Sequence, residues 1–171
     1  MPWIFAYGSL MWQPGFEPEE CVRGVMDGFH RAFNKRSTVR WGTPEHPSPT
    51  LGLEEGGECV GLALRVAEDR FDDVMDYLRE REGSGFSFEK APVHLEDGRD
   101  VKAHVAVNDH DESYIGDHSI KERARMAVEG SGKAGTGAEY VLNTHEKLES
   151  MDIHDPHVQE LAETVQELIG D

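Results

Sequence analysis

Two short stretches hold residues that could act on a small molecule. The first is Tyr7-Gly8-Ser9-Leu10, directly after the apolar run Trp3-Ile4-Phe5-Ala6. That run reads as a buried strand, and a glycine just past it allows dihedrals and a closeness of approach denied to other residues. The amides of Gly8, Ser9 and Leu10 could therefore converge on a carboxylate or carbonyl oxygen; the plainer alternative is a strand that ends in a turn. The second is Glu82, which closes Tyr77-Leu78-Arg79-Glu80-Arg81-Glu82 where a helical pattern gives way to Gly83-Ser84-Gly85-Phe86. Such a junction can hold a side chain over a pocket. Glu80 and Glu82 face different sides, and the plainer alternative makes both solvated charges. A carboxylate opposes the dipole at a helix C-terminus, which counts modestly against a decorative role.

Other chemistries find less support. Ser9 lies outside a Gly-x-Ser-x-Gly elbow, and no motif positions a His or Asp partner for it. The histidines are scattered: His154 and His157 lie three apart, His104 and His110 bracket a strand end, and no metal site is expected from either pair. Residues 130–137 read Gly-Ser-Gly-Lys-Ala-Gly-Thr-Gly. They lack the Gly-x-x-x-x-Gly-Lys-Ser/Thr order and follow no predicted strand, so they read as a helix–helix connection.

The elements that must position these residues belong to one domain over residues 1–171, because 171 residues suffice for one well-buried core and are few for two. Asp and Glu number 34 against 17 Lys and Arg, a formal charge of -17 that repels nucleic acid and anionic membranes. Cys21 and Cys59 show no metal-type spacing and no disulfide framework. With no signal-peptide pattern and no apolar run near the ~20 residues of a membrane span, a soluble, cytoplasmic protein is expected.

Up to about residue 108 the texture is β-rich. Residues 59–66 suit a central strand, and runs 91–95 and 101–107 flank Asp97-Gly98 as a hairpin. Phe71, Val74, Met75 and Leu78 define one face of a helix over 68–81. Residues 36–57, rich in Gly, Pro, Ser and Thr, read as a long loop or flap. Helices follow: Ser119 with Glu122 and Thr136 with Glu139 have capping-box spacing. Asp155-Pro156 opens a last helix with Val158, Leu161, Ala162, Val165 and Leu168 on one stripe, expected to pack on the sheet. Strands followed by helices make an α+β domain.

Taken in order, Phe5-Ala6-Tyr7-Gly8-Ser9-Leu10-Met11-Trp12, Gly28-Phe29-His30-Arg31, Gly42-Thr43-Pro44-Glu45, Tyr77 through Glu82, Tyr114-Ile115-Gly116 and Gly135 through Tyr140 resemble the ChaC-like gamma-glutamylcyclotransferases over nearly the whole chain. The resemblance implies a small mixed β-barrel-like sheet flanked by helices, and cleavage of the gamma-glutamyl bond of glutathione to 5-oxoproline and cysteinylglycine. In that reaction the substrate's own α-amine attacks its γ-carbonyl, so no enzyme nucleophile, metal or cofactor is needed. By the same resemblance Glu82 matches the catalytic glutamate, moving a proton from the ammonium to the leaving nitrogen. The backbone of Phe5, Ala6, Tyr7, Gly8, Ser9 and Leu10 grips the glutamyl group, and Tyr114 matches a tyrosine near the pocket. Arg40, or else Arg31 or Arg36, could meet the glycyl carboxylate.

The chain departs from the family pattern at two places. Trp41 stands where an arginine commonly precedes Gly-Thr-Pro, with Arg40 shifted one place, and Phe86 stands where a tyrosine is frequent. Other gamma-glutamyl amines, and a noncatalytic sensor of gamma-glutamyl metabolites, stay open as alternatives.

Overall fold

A computed structural model describes residues 1–82, 86–108 and 112–170, apart from the side chains of Glu82 and Asn108. The segment 83–85 and His110 lie outside the described residues. These form β1 (Trp3–Ala6), β2 (Glu20–Ser37), β3 (Ser48–Arg65), β4 (Phe86–Leu95) and β5 (Asp100–Asn108). The sheet closes on itself in the order β1-β3-β2-β4-β5. It is mixed: β1 runs antiparallel to β3, with Trp3 opposite Arg65, and parallel to β5, with Trp3 opposite Ala103. All four residues of β1 are buried, as its unbroken apolar run implies. Gly61 permits this: a Cβ there would lie 2.4 Å from the Ala6 carbonyl oxygen and 2.7 Å from the Phe5 ring.

The expected hairpin is β4–β5, with Val93 opposite Val101. Gly98 takes φ +95° in its turn, and the Leu95 amide donates to the Arg99 carbonyl at 2.8 Å. The expected loop over 36–57 is largely absent. β2 runs on to Ser37 and β3 begins at Ser48, leaving 38–47 as the connection. Leu51 and Leu53 are buried on β3, the Asn34 amide donates to the Leu53 carbonyl at 3.0 Å, and the Thr50 hydroxyl donates to the Lys35 carbonyl at 3.0 Å. Burial and cross-strand bonding override a loop-like composition.

Helices α1 (Phe71–Glu82), α2 (Ile120–Glu129), α3 (Gly137–Ser150) and α4 (Pro156–Gly170) follow. Val74, Met75 and Leu78 of α1 are buried. Ser119 and Thr136 cap α2 and α3 by accepting from the amides of Glu122 and Glu139, each at 3.1 Å. Asp155 caps α4, its Oδ1 accepting from the amides of His157 at 3.0 Å and Val158 at 3.1 Å. Val158, Leu161, Ala162 and Val165 are buried, and α4 packs against α2 and α3. Among the described residues no helix is long and apolar enough to cross a membrane.

Backbone packing divides the chain into two compact units, residues 1–30 with 55–109, and 31–54 with 110–171. In the first, Ile4, Val66, Val74, Met75 and Leu78 form a core against which Leu10, Phe16, Phe71 and Phe88 pack. The second buries Phe33, Leu51, Leu53, Val141, Leu148, Leu161 and Val165.

Candidate active site

The first unit contains the opening turn. β1 ends at Ala6, and after Tyr7 and Gly8 the chain enters a 3-10 turn, Ser9–Met11. The Met11 amide donates to the Gly8 carbonyl at 2.9 Å and the Gln13 amide to the Ser9 carbonyl at 2.8 Å. The amides of Gly8, Ser9 and Leu10 open the turn and so have no carbonyl of that turn to bond. Tyr7 fixes the exit from the strand by donating its hydroxyl to the Ala106 carbonyl at 2.9 Å. Gly8 sits at φ -135° and ψ -138°, and its bare Cα leaves room for close approach to the backbone.

α1 meets this turn through one cation. Arg81 donates from Nη2 to Ser9 Oγ at 3.0 Å, and from Nη1 to Tyr77 Oη at 3.2 Å and to the Gln13 carbonyl. Gly15, at φ +76°, lies against Tyr77 so closely that a Cβ would fall 2.0 Å from the phenolic oxygen. Turn and helix end are thus fastened at the residue before Glu82. The backbone of Glu82 closes α1; its side chain lies outside the described part of the structure. The side chains of Phe5 and Ala6 are buried, each 1% exposed, so only their backbone could face a ligand.

The second unit carries Tyr114, held in register by a bridge to Lys35 and by the Ile115 amide, which donates to the Asn34 carbonyl at 2.8 Å. Tyr114 donates its hydroxyl to Glu54 Oε1 at 2.6 Å, and the Asn34 side-chain amide donates to the same oxygen at 3.2 Å. Gly116 makes space for the pair, since a Cβ there would sit 2.1 Å from Tyr114 Oη and 2.4 Å from Glu54 Oε1. Arg123 holds Gly116, donating from Nη2 to its carbonyl at 2.7 Å and from Nε to the His118 carbonyl at 3.0 Å. Burial first, and then the bond to Glu54, push the Tyr114 phenol up to about 12, so it keeps its proton. Desolvation lowers the Arg123 guanidinium. Glu54, Asn34 and Arg123 carried no motif by which the sequence could have singled them out.

The three arginines separate. Arg31 is 1% exposed, and its Nη1 pairs with Asp155 Oδ2 at 3.2 Å, which makes it a structural cation. Arg40 is exposed, with its guanidinium 6.0 Å from the Trp41 ring centroid. Trp41 packs on Tyr140 at 5.1 Å, so the residue standing in the arginine position serves packing. Arg36 has a buried Nε with no hydrogen-bond partner among the described residues. Residues 130–137 are the expected connection: Gly137 donates to the Gly130 carbonyl at 3.0 Å, and the amides of Lys133 and Ala134 donate to the carbonyls of Val39 and Arg40 at 2.9 and 2.7 Å. Among the described residues no three or more His, Cys, Asp or Glu side chains gather as metal ligands.

The closed mixed barrel with its early glycine turn defines a fold class. A crystal structure of a glutathione-specific gamma-glutamyl cyclotransferase from yeast aligns with a TM-score of 0.87, covering 98% of this chain and 98% of that chain at 21% identity. The chain belongs to the ChaC-like protein family, whose model matches residues 2–168. It is similar to the glutathione-specific gamma-glutamylcyclotransferase of Escherichia coli K12, 34% identical over 173 residues that cover 99% of this chain and 74% of that protein. It is also similar to gamma-glutamylcyclotransferase 2-3 of Arabidopsis thaliana, 29% identical over 181 residues that cover 99% of this chain and 90% of that one.

Proposed function

We propose that this protein cleaves the gamma-glutamyl bond of glutathione, releasing 5-oxoproline and cysteinylglycine. The observation that carries the reading is the fastening of the Gly8–Leu10 turn, through Ser9 and Arg81, to the helix that Glu82 closes. Membership of the ChaC-like family and the named specificity of the Escherichia coli relative support the choice of substrate.

The reaction needs little from the protein beyond geometry and proton transfer. The glutamyl α-nitrogen attacks the γ-carbonyl, a five-membered lactam closes, and the bond to the cysteine nitrogen breaks. No water is consumed. Of the three ammonium protons, one stays on the lactam nitrogen and two end on the departing amine. Glu82 takes a proton from the ammonium and delivers it to the leaving nitrogen, a general acid–base role. The amides of Gly8, Ser9 and Leu10 grip the glutamyl carboxylate or the developing oxyanion, on a backbone supported by Phe5, Ala6 and Tyr7. Holding the folded-over conformer supplies a gain of up to about 7–11 kcal/mol, the range seen for well-oriented intramolecular reactions. Tyr114 contacts the glutamyl end. Arg36, with its unsatisfied Nε, or exposed Arg40 takes the glycyl carboxylate. The ligand is a small molecule, and a charge of -17 disfavours nucleic-acid and anionic-membrane partners. We assign the protein to the cytoplasm, which maintains a reduced glutathione pool.

The test is release of 5-oxoproline from glutathione and from several gamma-glutamyl amino acids, by wild type and by Glu82→Gln. The variant is expected to lose at least about 100-fold in rate. Wild type that releases none overturns the reaction, equal turnover by the variant overturns the role of Glu82, and faster turnover of a gamma-glutamyl amino acid reassigns the substrate.

A further inference from the structure

Arg81 fastens the opening turn through neutral oxygens, and that choice of partners leaves its charge uncompensated. Its Nη2 donates to Ser9 Oγ at 3.0 Å, and its Nη1 to Tyr77 Oη at 3.2 Å and to the Gln13 carbonyl. Among the described residues it forms no ion pair. Other guanidiniums of the first unit do: Arg79, two residues earlier on α1, pairs with Asp76 at 3.3 Å, Arg65 with Glu20 at 3.0 Å, and Arg99 with both Glu20 and Asp97. In a chain where 34 Asp and Glu stand against 17 Lys and Arg, a cation held by three neutral acceptors is set apart.

Those three bonds fix the guanidinium before any ligand arrives, so little ordering remains to be done on binding. A guanidinium carries five N–H donors in a planar fork, and three of them are engaged here. The residues concerned, 8–15 and 77–82, all belong to the first unit. Two anions of a gamma-glutamyl substrate could answer this cation: the α-carboxylate, charged in substrate, transition state and product alike, and the oxyanion that exists only while the lactam closes. Stabilising a transient oxyanion depends on excluding water, whereas the Arg81 contacts are exposed. A permanent, planar carboxylate suits a guanidinium fork at such a place.

We propose that Arg81 is the specificity-determining cation for the glutamyl α-carboxylate: held by Ser9, Gln13 and Tyr77, its guanidinium meets that carboxylate beside the Gly8–Leu10 turn. The inference rests on the reading of the turn as the glutamyl site and deepens it, selecting the carboxylate over the oxyanion as the group held there. It has a consequence for turnover. Ring closure carries the carboxylate unchanged into 5-oxoproline, so the same contact retains the product.

Steady-state release of 5-oxoproline from glutathione by wild type, Arg81→Met and Arg81→Lys separates this role from fastening alone. A contact made equally in ground and transition states is uniform binding. Arg81→Met is therefore expected to raise KM about tenfold, as one charge-assisted hydrogen bond allows, with kcat unchanged, and Arg81→Lys, which keeps the charge, should recover most of that loss. A loss that falls on kcat overturns the proposal, because an oxyanion role or a displaced turn would produce it. Inhibition of the same reaction by 5-oxoproline and by 2-pyrrolidinone, the same ring without the carboxylate, gives a second readout. Arg81→Met should weaken 5-oxoproline about tenfold and leave 2-pyrrolidinone as it was in wild type; equal weakening of both, or no inhibition of wild type by 5-oxoproline, overturns the proposal. If Arg81→Met does not fold, Arg81→Gln, which keeps an N–H donor and drops the charge, decides in its place. A wild type that turns over glutathione while the variant loses only kcat overturns this inference and leaves the reaction standing; a wild type without turnover overturns the reaction itself.

Discussion

The opening turn and the Tyr114 cluster achieve order by opposite means. Residues 8–13 form a short turn with few side-chain bonds, and what fastens it is the guanidinium of Arg81, in contacts that water reaches. Asn34, Glu54, Tyr114 and Gly116 form a network in which Asn34 is fully buried, two donors share one carboxylate oxygen, and a glycine supplies the room. A solvated contact exchanges with water, and its loss costs little stability. A buried polar group stripped of its partner loses both its bond and its solvation. The first region is built to be adjusted and the second to be invariant. Substitutions should therefore register as changed rate in the turn and as lost stability in the network.

Asn34→Leu is the strongest probe of that contrast. It removes both donors of a buried side chain and leaves the Leu53 carbonyl and Glu54 short of a partner, at a cost of about 1–3 kcal/mol. For a chain of this length that lowers Tm by on the order of 5 °C, measured by calorimetry; a change under about 1 °C would erase the distinction between the regions. Arg81→Met should do the reverse, leaving Tm nearly unchanged while kcat/KM for 5-oxoproline release falls about tenfold, the equivalent of one charge-assisted contact. Adding Ser9→Ala to Arg81→Met should cost little more, since the two side chains share one bond. Additive losses would show that Arg81 does not act through the turn.

The smallest effect should come from another exposed contact of the first unit. The two nitrogens of His94 lie 2.6 Å from Asp100 Oδ1 and 2.6 Å from Asp27 Oδ2. Asp100 first, and Asp27 after it, hold the imidazolium above its ordinary range. Because the folded-state value is raised, the linked stability is fully present below the unfolded value of about 6.5. It is lost as pH rises through the higher folded value. Wild type should lose a little Tm over that interval and His94→Gln should not; parallel curves would remove His94 from the account.

Local signals were legible in the chain and distant pairings were not. Ser119, Thr136 and Asp155 announced three helix starts because a cap and the amides it accepts from lie within three residues of each other. Asp97-Gly98 announced its hairpin for the same reason. The stretch 36–57 misled because Gly and Pro composition is also local, whereas the bonds that make it strand join Asn34 to Leu53 and Lys35 to Thr50. Within the candidate site, Tyr7–Leu10 and Glu82 stood out through neighbouring residues. Glu54 could not, because its partner Tyr114 is 60 residues away, and neither could the pairing of Arg31 with Asp155, which are 124 residues apart.

That last pair bears on the order in which the chain becomes a protein. Arg31 belongs to β2, and the carboxylate that neutralises it is 124 residues further on, in a residue whose other oxygen caps α4. During synthesis β2 emerges well before Asp155, the carboxylate that pairs with its buried cation in the finished fold, and contacts of such sequence separation are slow to close. The second unit can therefore reach its final packing only late, once the start of α4 has brought Asp155 to Arg31.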